Sequence, residues 1–89
     1  MNQRRGRLEI IKDILAAVHE VGESKKTRVM QKAYLDWRNF QRYFDFLVEN
    51  GFLNVKNNGG DKVYMLSENG RILLDKLNEL DMFIESCMR

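Results

Sequence analysis

The chain has 89 residues, of which 44% are hydrophobic and 31% are charged, and its formal net charge is +2. This length and composition are typical of one small globular domain and not of a disordered chain. Its single cysteine and single histidine exclude an intrachain disulfide and leave too few ligands for a zinc site built from these residue types. No apolar run approaches the roughly 20 residues of a membrane span, and the basic start lacks the apolar segment of a signal peptide, so we expect a cytoplasmic protein.

The first two predicted elements are amphipathic helices. A helix over residues 7–19 has apolar residues spaced three and four apart, and Gly22 ends it because glycine readily adopts the positive φ of a helix terminus. The apolar stripe consists of Leu8, Ile11, Leu15 and Val18. Ser24 is a suitable N-cap for a shorter helix over residues 25–33. The apolar residues of this second helix are Val29, Met30 and Ala33.

A third helix is predicted over residues 37–50, preceded by Asp36 as its N-cap and ended by Gly51. Apolar side chains recur every third or fourth residue along one face, so this face should point into the core. The face consists of Phe40, Phe44, Leu47 and Val48, with Tyr43 at its edge. Two helices joined by about three residues, the first of them short, form a helix-turn-helix pattern.

The pattern then changes to two short strands, residues 52–56 and 62–66, which are rich in aromatic and β-branched residues. Between them, Asn-Asn-Gly-Gly-Asp tolerates the left-handed conformations of a hairpin loop. Ser67 caps a last helix that runs towards the end of the chain. This order predicts a mainly α fold with a β-hairpin, a winged helix-turn-helix in a single domain. Residues 1–66 form the helix-turn-helix and the wing, and residues 67–89 form an extended C-terminal dimerisation helix.

Charge is distributed unevenly along the chain. Residues 24–42 carry six lysines and arginines against one aspartate, a local net charge of +5, whereas residues 67–89 have a net charge of −2. Such an asymmetry indicates that one end of the molecule meets a polyanion. Phosphate contacts are predicted at the start of the second helix, because helix N-termini also attract anions; a solvated basic face is the alternative. The residues concerned are Lys25, Lys26, Thr27 and Arg28.

The third helix is predicted to be the recognition helix, which lies in the major groove of double-stranded DNA. Arg38 and Gln41 are expected to contact base edges, since arginine bonds guanine and glutamine bonds adenine with two hydrogen bonds each. Arg42 adds to this surface, and Asn39 either helps to cap the helix or reaches a phosphate. Trp37 is expected to be partly buried at the edge of the interface, with direct DNA contact as its less favoured role.

Two further polar or basic segments are suited to contact the DNA backbone. The wing contributes Lys56, Asn57, Asn58 and Lys62 near its tip. The N-terminal arm contributes Arg4, Arg5 and Arg7, residue types that bind phosphates or enter the minor groove. A polar loop without a binding role explains the wing residues equally well, and a frayed helix end explains the arm as simply.

The last helix carries an apolar seam in which residues four and three apart repeat over two heptads. Its members are Leu73, Leu77, Leu80, Ile84 and Cys87, and Phe83 widens it. A small winged domain covers only about two or three turns of such a helix, which leaves the remaining apolar surface in water. We therefore predict a homodimer through this helix, parallel or antiparallel. The alternative is that the helix folds back against the first one.

Nothing in the sequence indicates catalysis or a bound cofactor. It has no glycine-rich phosphate loop and no metal-ligand spacing, and Asp75 and Glu79 are better interpreted as solvated helix carboxylates than as an acid–base pair. We therefore expect no enzyme, no cofactor, no metal and no evident small-molecule effector. The rival to a DNA-binding protein is a winged-helix module that binds another protein, and the salt dependence of duplex binding distinguishes the two.

Two segments carry a family resemblance: KKTRVMQKAYLDWRNFQRYFDFLVENGFL, residues 25–53, and VYMLSENGRILLDKL, residues 63–77. They resemble the archaeal winged-helix DNA-binding proteins, in particular a small type that dimerises through a C-terminal antiparallel coiled coil. The resemblance implies a dimeric transcription regulator or a chromatin-type, nucleoid-associated protein, with the third helix in the major groove and the wings on the flanking backbone. The chain departs from this group in its short last helix and in Asp36, which adds a negative charge near the DNA face.

Overall fold

The computed structural model describes residues 6–88, and in this range it contains four helices and one two-stranded antiparallel sheet. In chain order the elements are α1 (Arg7–Val21), α2 (Lys26–Ala33), α3 (Trp37–Glu49), β1 (Leu53–Asn58), β2 (Asp61–Leu66) and α4 (Glu68–Cys87). This order confirms the predicted mainly α fold with a β-hairpin, in which a winged helix-turn-helix is followed by a long final helix. No helix in the described range is long and apolar enough to cross a lipid bilayer.

The hydrophobic core lies where the first three helices meet. Its fully buried side chains are Ile14, Leu15, Val18, Val29, Phe40, Phe44 and Leu47. The predicted inward face of α3 is confirmed by Phe40, Phe44 and Leu47, and burial of each such side chain contributes roughly 1.5–3 kcal/mol. Leu8 was predicted to share the apolar stripe of α1 with Leu15, but it is exposed, whereas Ile10 and Ile11 beside it are buried.

The start of α2 differs from the prediction that Ser24 is its N-cap. Lys25 is the N-cap residue, and it makes no side-chain capping hydrogen bond. Ser24 instead pairs with Tyr64 of β2: the Ser24 amide donates to the Tyr64 carbonyl at 3.1 Å, and the Tyr64 amide donates to the Ser24 carbonyl at 2.8 Å. Ser24 thus pairs with β2 as a single residue from outside the hairpin, and this pairing fastens the segment before α2 to the wing.

The hairpin turn is tighter than the predicted loop of residues 57–61. Asn58 pairs with Asp61, which leaves only Gly59 and Gly60 between the strands. The φ values of these glycines are 64° and 95°, and two-residue turns with positive φ at both positions match the twist of the adjoining strands. The prediction placed the strand ends too far from the tip, because two glycines are sufficient to reverse the chain.

The start of α4 is fastened to the chain that follows α3. Ser67 is its N-cap, as predicted: the hydroxyl accepts from the Gly70 amide at 3.0 Å and donates to the Gly51 carbonyl at 2.6 Å. Gly70 packs so tightly against the carbonyl oxygen of Phe52 that a Cβ at this position would overlap it. Glycine is required here for close approach, and this contact holds α4 against the start of the wing.

Replacing Gly70 with alanine should lower the free energy of unfolding by at least about 2 kcal/mol, because the clash is with a backbone oxygen and outweighs the higher helix propensity of alanine. The control is Asn69→Ala, at the exposed neighbouring position, which should change stability by less than about 0.5 kcal/mol. Urea unfolding followed by circular dichroism measures both variants. Equal stability of the two would contradict the proposed close contact.

Candidate nucleic-acid interface

A short turn between α2 and α3 presents the start of α3 to solvent. α2 ends at Ala33, and its C-cap residue Tyr34 has left-handed backbone angles, with φ of 56° and ψ of 47°. Asp36 then caps α3 as predicted: its Oδ1 accepts from the Asn39 amide at 2.9 Å, and its Oδ2 accepts from the Asn39 side-chain amide at 3.2 Å. The side chain of Asn39 therefore lies in the cap, which is the first of the two roles predicted for it.

Three arginines of α2 and α3 are exposed to solvent. Arg28 on α2 and Arg38 in the first turn of α3 form no ion pair within residues 6–88. Arg42, one turn further along α3, has its guanidinium 5.7 Å from the ring centroid of Tyr43 and is also without an ion pair in that range. These guanidinium groups are available to a phosphate or a base.

Lys26 and Gln41 are committed to contacts within the protein. Asp45 accepts a hydrogen bond from Gln41 Nε2 at 2.8 Å and lies 3.7 Å from Lys26 Nζ. The same ammonium group lies 5.3 Å from the ring centroid of Trp37 and 5.2 Å from that of Phe44, which are cation–π distances. These contacts join α2 to α3. Base contact by Gln41 would therefore require its bond to Asp45 to break.

Two surface ion pairs hold the wing beside the start of α2. Lys25 Nζ lies 3.3 Å from the Asp61 carboxylate, and Lys56 Nζ lies 2.9 Å from that of Glu23. Exposed pairs of this kind contribute about 1 kcal/mol or less, so both ammonium groups can exchange a carboxylate for a phosphate at small cost. Two further predicted wing residues, Asn58 and Lys62, are exposed near the tip.

A shallow groove of about 540 Å³ lies over the start of α2. Lys25, Thr27 and Arg28 line it, and its one carboxylate, Glu23, is paired with Lys56. No side chain caps α2, so the Lys26 and Thr27 amides lack the side-chain acceptor that a capping residue usually provides, whereas the Arg28 amide donates to the Lys25 carbonyl at 3.1 Å. Positive side chains and uncapped amides together favour an anion at this position.

α4 has a covered half and an exposed half. Leu73 is partly buried and Leu77, at 9% exposure, belongs to the core, so these two predicted seam residues pack within their own chain. All residues from 78 to 88 are exposed. The large apolar side chains among them are Leu80, Met82, Phe83, Ile84 and Met88, and Cys87 is exposed beside them. An ion pair between Lys12 and Asp81 links the exposed half to α1.

Two residues of this surface were not singled out from the sequence. Tyr34 is strongly exposed in the turn before α3. The sequence signal that could have indicated it is its position after a predicted helix, where glycine or asparagine is usual. Asp45 holds Gln41 and Lys26, and its spacing of four residues from Gln41 is the corresponding signal.

The predicted N-terminal arm is described only at its end. Arg7 is exposed and lines a groove of about 570 Å³ together with Arg42 of α3, whereas Arg4 and Arg5 lie outside the described residues. The chain therefore enters α1 on the side of the molecule where Arg42 lies.

Within residues 6–88, no group of three or more histidine, cysteine, aspartate or glutamate side chains is placed to hold a metal ion.

The sequence matches the model of the winged helix-turn-helix family over residues 4–85, which includes nearly all of the four helices and the whole hairpin. The chain belongs to this family. The uncharacterized protein MJ0287 of Methanocaldococcus jannaschii is similar to this chain, with 46% identity over 77 residues that cover 86% of this chain and 74% of that protein.

Two solved structures are also similar to this chain. Sso10a-2, a DNA-binding protein from Sulfolobus solfataricus, gives a TM-score of 0.81 at 32% identity and covers 94% of this chain and 86% of its own. BpsR of Bordetella bronchiseptica gives a TM-score of 0.75 at 17% identity, covering 88% of this chain and 58% of its own, which is a likeness of fold alone. Similarity to two archaeal proteins confirms the predicted resemblance to archaeal winged-helix proteins.

Replacing Asp36 with alanine should lower the free energy of unfolding by about 1 kcal/mol, because it removes the capping acceptor for the Asn39 amide. Asp36→Ser keeps a capping oxygen without the charge and is the control; its stability should stay within about 0.5 kcal/mol of the natural protein. Thermal unfolding measures both. If the serine variant lost as much stability as the alanine variant, the charge and not the hydrogen bond would be what stabilises the start of α3.

Proposed function

We propose that this protein binds double-stranded DNA as a homodimer and acts as a transcription regulator or a chromatin-type architectural protein. One observation carries the proposal: in a winged helix-turn-helix, Arg38 is exposed at the start of α3 with no ion pair in the described chain, beside the basic α2. Similarity to Sso10a-2, a DNA-binding protein, over most of both chains supports the same role. A protein with this role is associated with the nucleoid and needs no catalytic group.

α3 is the proposed recognition helix, with its N-terminal residues at the base edges of the major groove. Arg38 is the first choice for base contact, because its guanidinium is unpaired in the described chain and matches the two acceptors of guanine. Arg42, one turn later, is suited to a base or a phosphate. Gln41 contributes less than its sequence position indicates, since its amide is bonded to Asp45.

Phosphate contacts supply most of the proposed affinity. Lys25, Thr27 and Arg28 line the groove at the start of α2, where uncapped amides strengthen the attraction for an anion. The wing adds Lys56, Asn58 and Lys62 for the flanking backbone. Because each phosphate contact releases condensed counterions, binding should weaken steeply as the salt concentration rises. A protein-binding module would not show this dependence on a DNA duplex.

The exposed half of α4 is the proposed dimer interface. Leu80, Ile84 and Cys87 follow one another at intervals of four and three residues, and Phe83, 68% exposed, lies beside them. An apolar patch on so small a protein is usually covered by a partner, and the same helix of a second copy covers it by two-fold symmetry. Residues 1–66 then bind DNA and residues 67–89 dimerise, with Leu73 and Leu77 contributing mainly to the core of their own chain.

Replacing both Arg38 and Arg42 with alanine should weaken duplex binding at least about tenfold, equivalent to about 1.4 kcal/mol, because it removes two cations from the proposed interface. The matched control is Arg71→Ala with Lys76→Ala, which removes the same charge from exposed positions of α4. Fluorescence anisotropy at two salt concentrations measures both double variants. Unchanged affinity of the α3 variant, or equal losses in both variants, would place α3 outside the interface.

Replacing Leu80 and Ile84 with glutamate should yield monomers, because the dimer would have to bury unpaired charges. The control is Met82→Glu with Ser86→Glu, which adds the same charges at the same spacing but turned by about 200° around the helix, so the dimer should persist. Multi-angle light scattering gives the mass of each variant. A natural protein that is monomeric at high micromolar concentration, or a control that also dissociates, would contradict the proposed interface.

A further inference from the structure

A carboxylate, that of Asp45, lies on the side of α3 that is proposed to face DNA. Asp45 follows Arg38 by seven residues, about two turns, and precedes Glu49 by four, so the three side chains share one side of the helix. This side is turned away from the buried Leu47: Arg38 and Glu49 are exposed, and the Asp45 side chain is 48% exposed. A negative charge here weakens the attraction of the surface for phosphates, so any benefit of Asp45 lies in its contacts.

The first of these contacts holds the side chain of Gln41 against the protein. Gln41 Nε2 donates to Asp45 Oδ2 at 2.8 Å, a hydrogen bond that the charge of the acceptor strengthens. Gln41 Oε1 is buried and has no hydrogen-bond partner in the described chain. An unpaired buried oxygen is unfavourable, so the bond to Asp45 keeps the amide in this position in spite of that cost.

The second contact anchors the carboxylate itself. Asp45 Oδ1 lies 3.7 Å from Lys26 Nζ of α2. The same ammonium group lies 5.3 Å from the ring centroid of Trp37 and 5.2 Å from that of Phe44. Because two rings and a carboxylate surround it, Lys26 holds Asp45 at the place where Gln41 meets it.

Adenine is the base that a free glutamine amide selects in the major groove. The amide nitrogen donates to adenine N7 and the amide oxygen accepts from the N6 amino group, so recognition needs both ends of the side chain. In Gln41 one end is bonded to Asp45 and the other is buried. A hydrogen bond to a charged group contributes about as much as such a base contact, so exchanging one for the other produces no net preference.

We propose that Asp45 is a specificity-determining residue: it withholds Gln41 from the bases, so that the protein does not select adenine where α3 meets the major groove. This inference rests on the proposed DNA-binding function and states how broadly that function accepts sequences. Base selection on this side of α3 is then left to Arg38 and Arg42, and one carboxylate sets the range of sites that the protein tolerates.

Adenine and 7-deazaadenine pair with thymine in the same way but differ at N7, which provides the test. Two duplexes share an alternating A·T centre with G·C ends, and one of them has 7-deazaadenine in place of every adenine. Fluorescence anisotropy gives the ratio of their affinities. In Asp45→Ala this ratio should shift towards adenine by at least about threefold relative to the natural protein, because a hydrogen bond to N7 is worth about this factor or more.

Two further variants make the result specific. Glu49→Ala removes the same charge from the same side of α3, about two turns from Gln41, so it should strengthen binding to both duplexes and leave their ratio unchanged. Asp45→Ala combined with Gln41→Ala should restore the ratio of the natural protein, because the released amide is then absent. Alanine is a good helix former at these positions, so all variants should fold, which circular dichroism checks.

The outcomes distinguish this inference from the function on which it rests. An unchanged ratio in folded Asp45→Ala, an equal shift in Glu49→Ala, or a shift that persists in the double variant would overturn the inference while DNA binding stands. If the natural protein bound neither duplex at low salt, the proposed function would fail and the inference with it.

Discussion

The packing of Phe40 and Phe44 in the core determines where everything else on α3 lies. Their ring centroids are 4.8 Å apart, and Phe44 also meets Tyr64 of the wing edge to face at 4.8 Å. One face of α3 is thereby fixed against the other helices and against the hairpin at once. Because the side chains of a helix point outward all round, burial of this face leaves Arg38 and Arg42 exposed to solvent. Hydrophobic packing thus orients the charged surface.

The charges around α3 fall into two groups. Some are balanced within the molecule: Lys26 lies near Asp45, and Lys25 and Lys56 pair with carboxylates of the wing and of the segment before α2. Others, such as Arg38, have no ion pair in the described chain. The net charge of the segment therefore overstates the positive charge that is free to act, and the geometry decides which residues retain it.

The features decided by neighbouring residues could be predicted from the sequence. Helix periodicity located the buried face of α3, and Asp36 and Ser67 each cap a helix by accepting from the amide three residues later. Features decided by distant residues could not. Ser24 has the right chemistry for a cap, but its backbone pairs with Tyr64, 40 positions later. Likewise, the spacing of Leu77 in the apolar seam does not show whether its own chain or a partner covers this side chain. The packing of α4 on the core shows that its own chain covers it.

The anchoring of α4 has a geometric consequence for an assembly of two chains. Ser67 and Gly70 clamp the first turn onto Gly51 and Phe52, so the helix cannot swing independently of the end of α3. Its 20 residues span about 30 Å, at about 1.5 Å and 100° per residue. In the proposed dimer, joined at the far half of α4, this helix would be a rigid connection between the two proposed DNA-binding surfaces. Inserting a single residue in α4 would turn each of these surfaces by about 100° relative to the dimer interface, so in the proposed dimer the length of the helix would set the phasing of the half-sites.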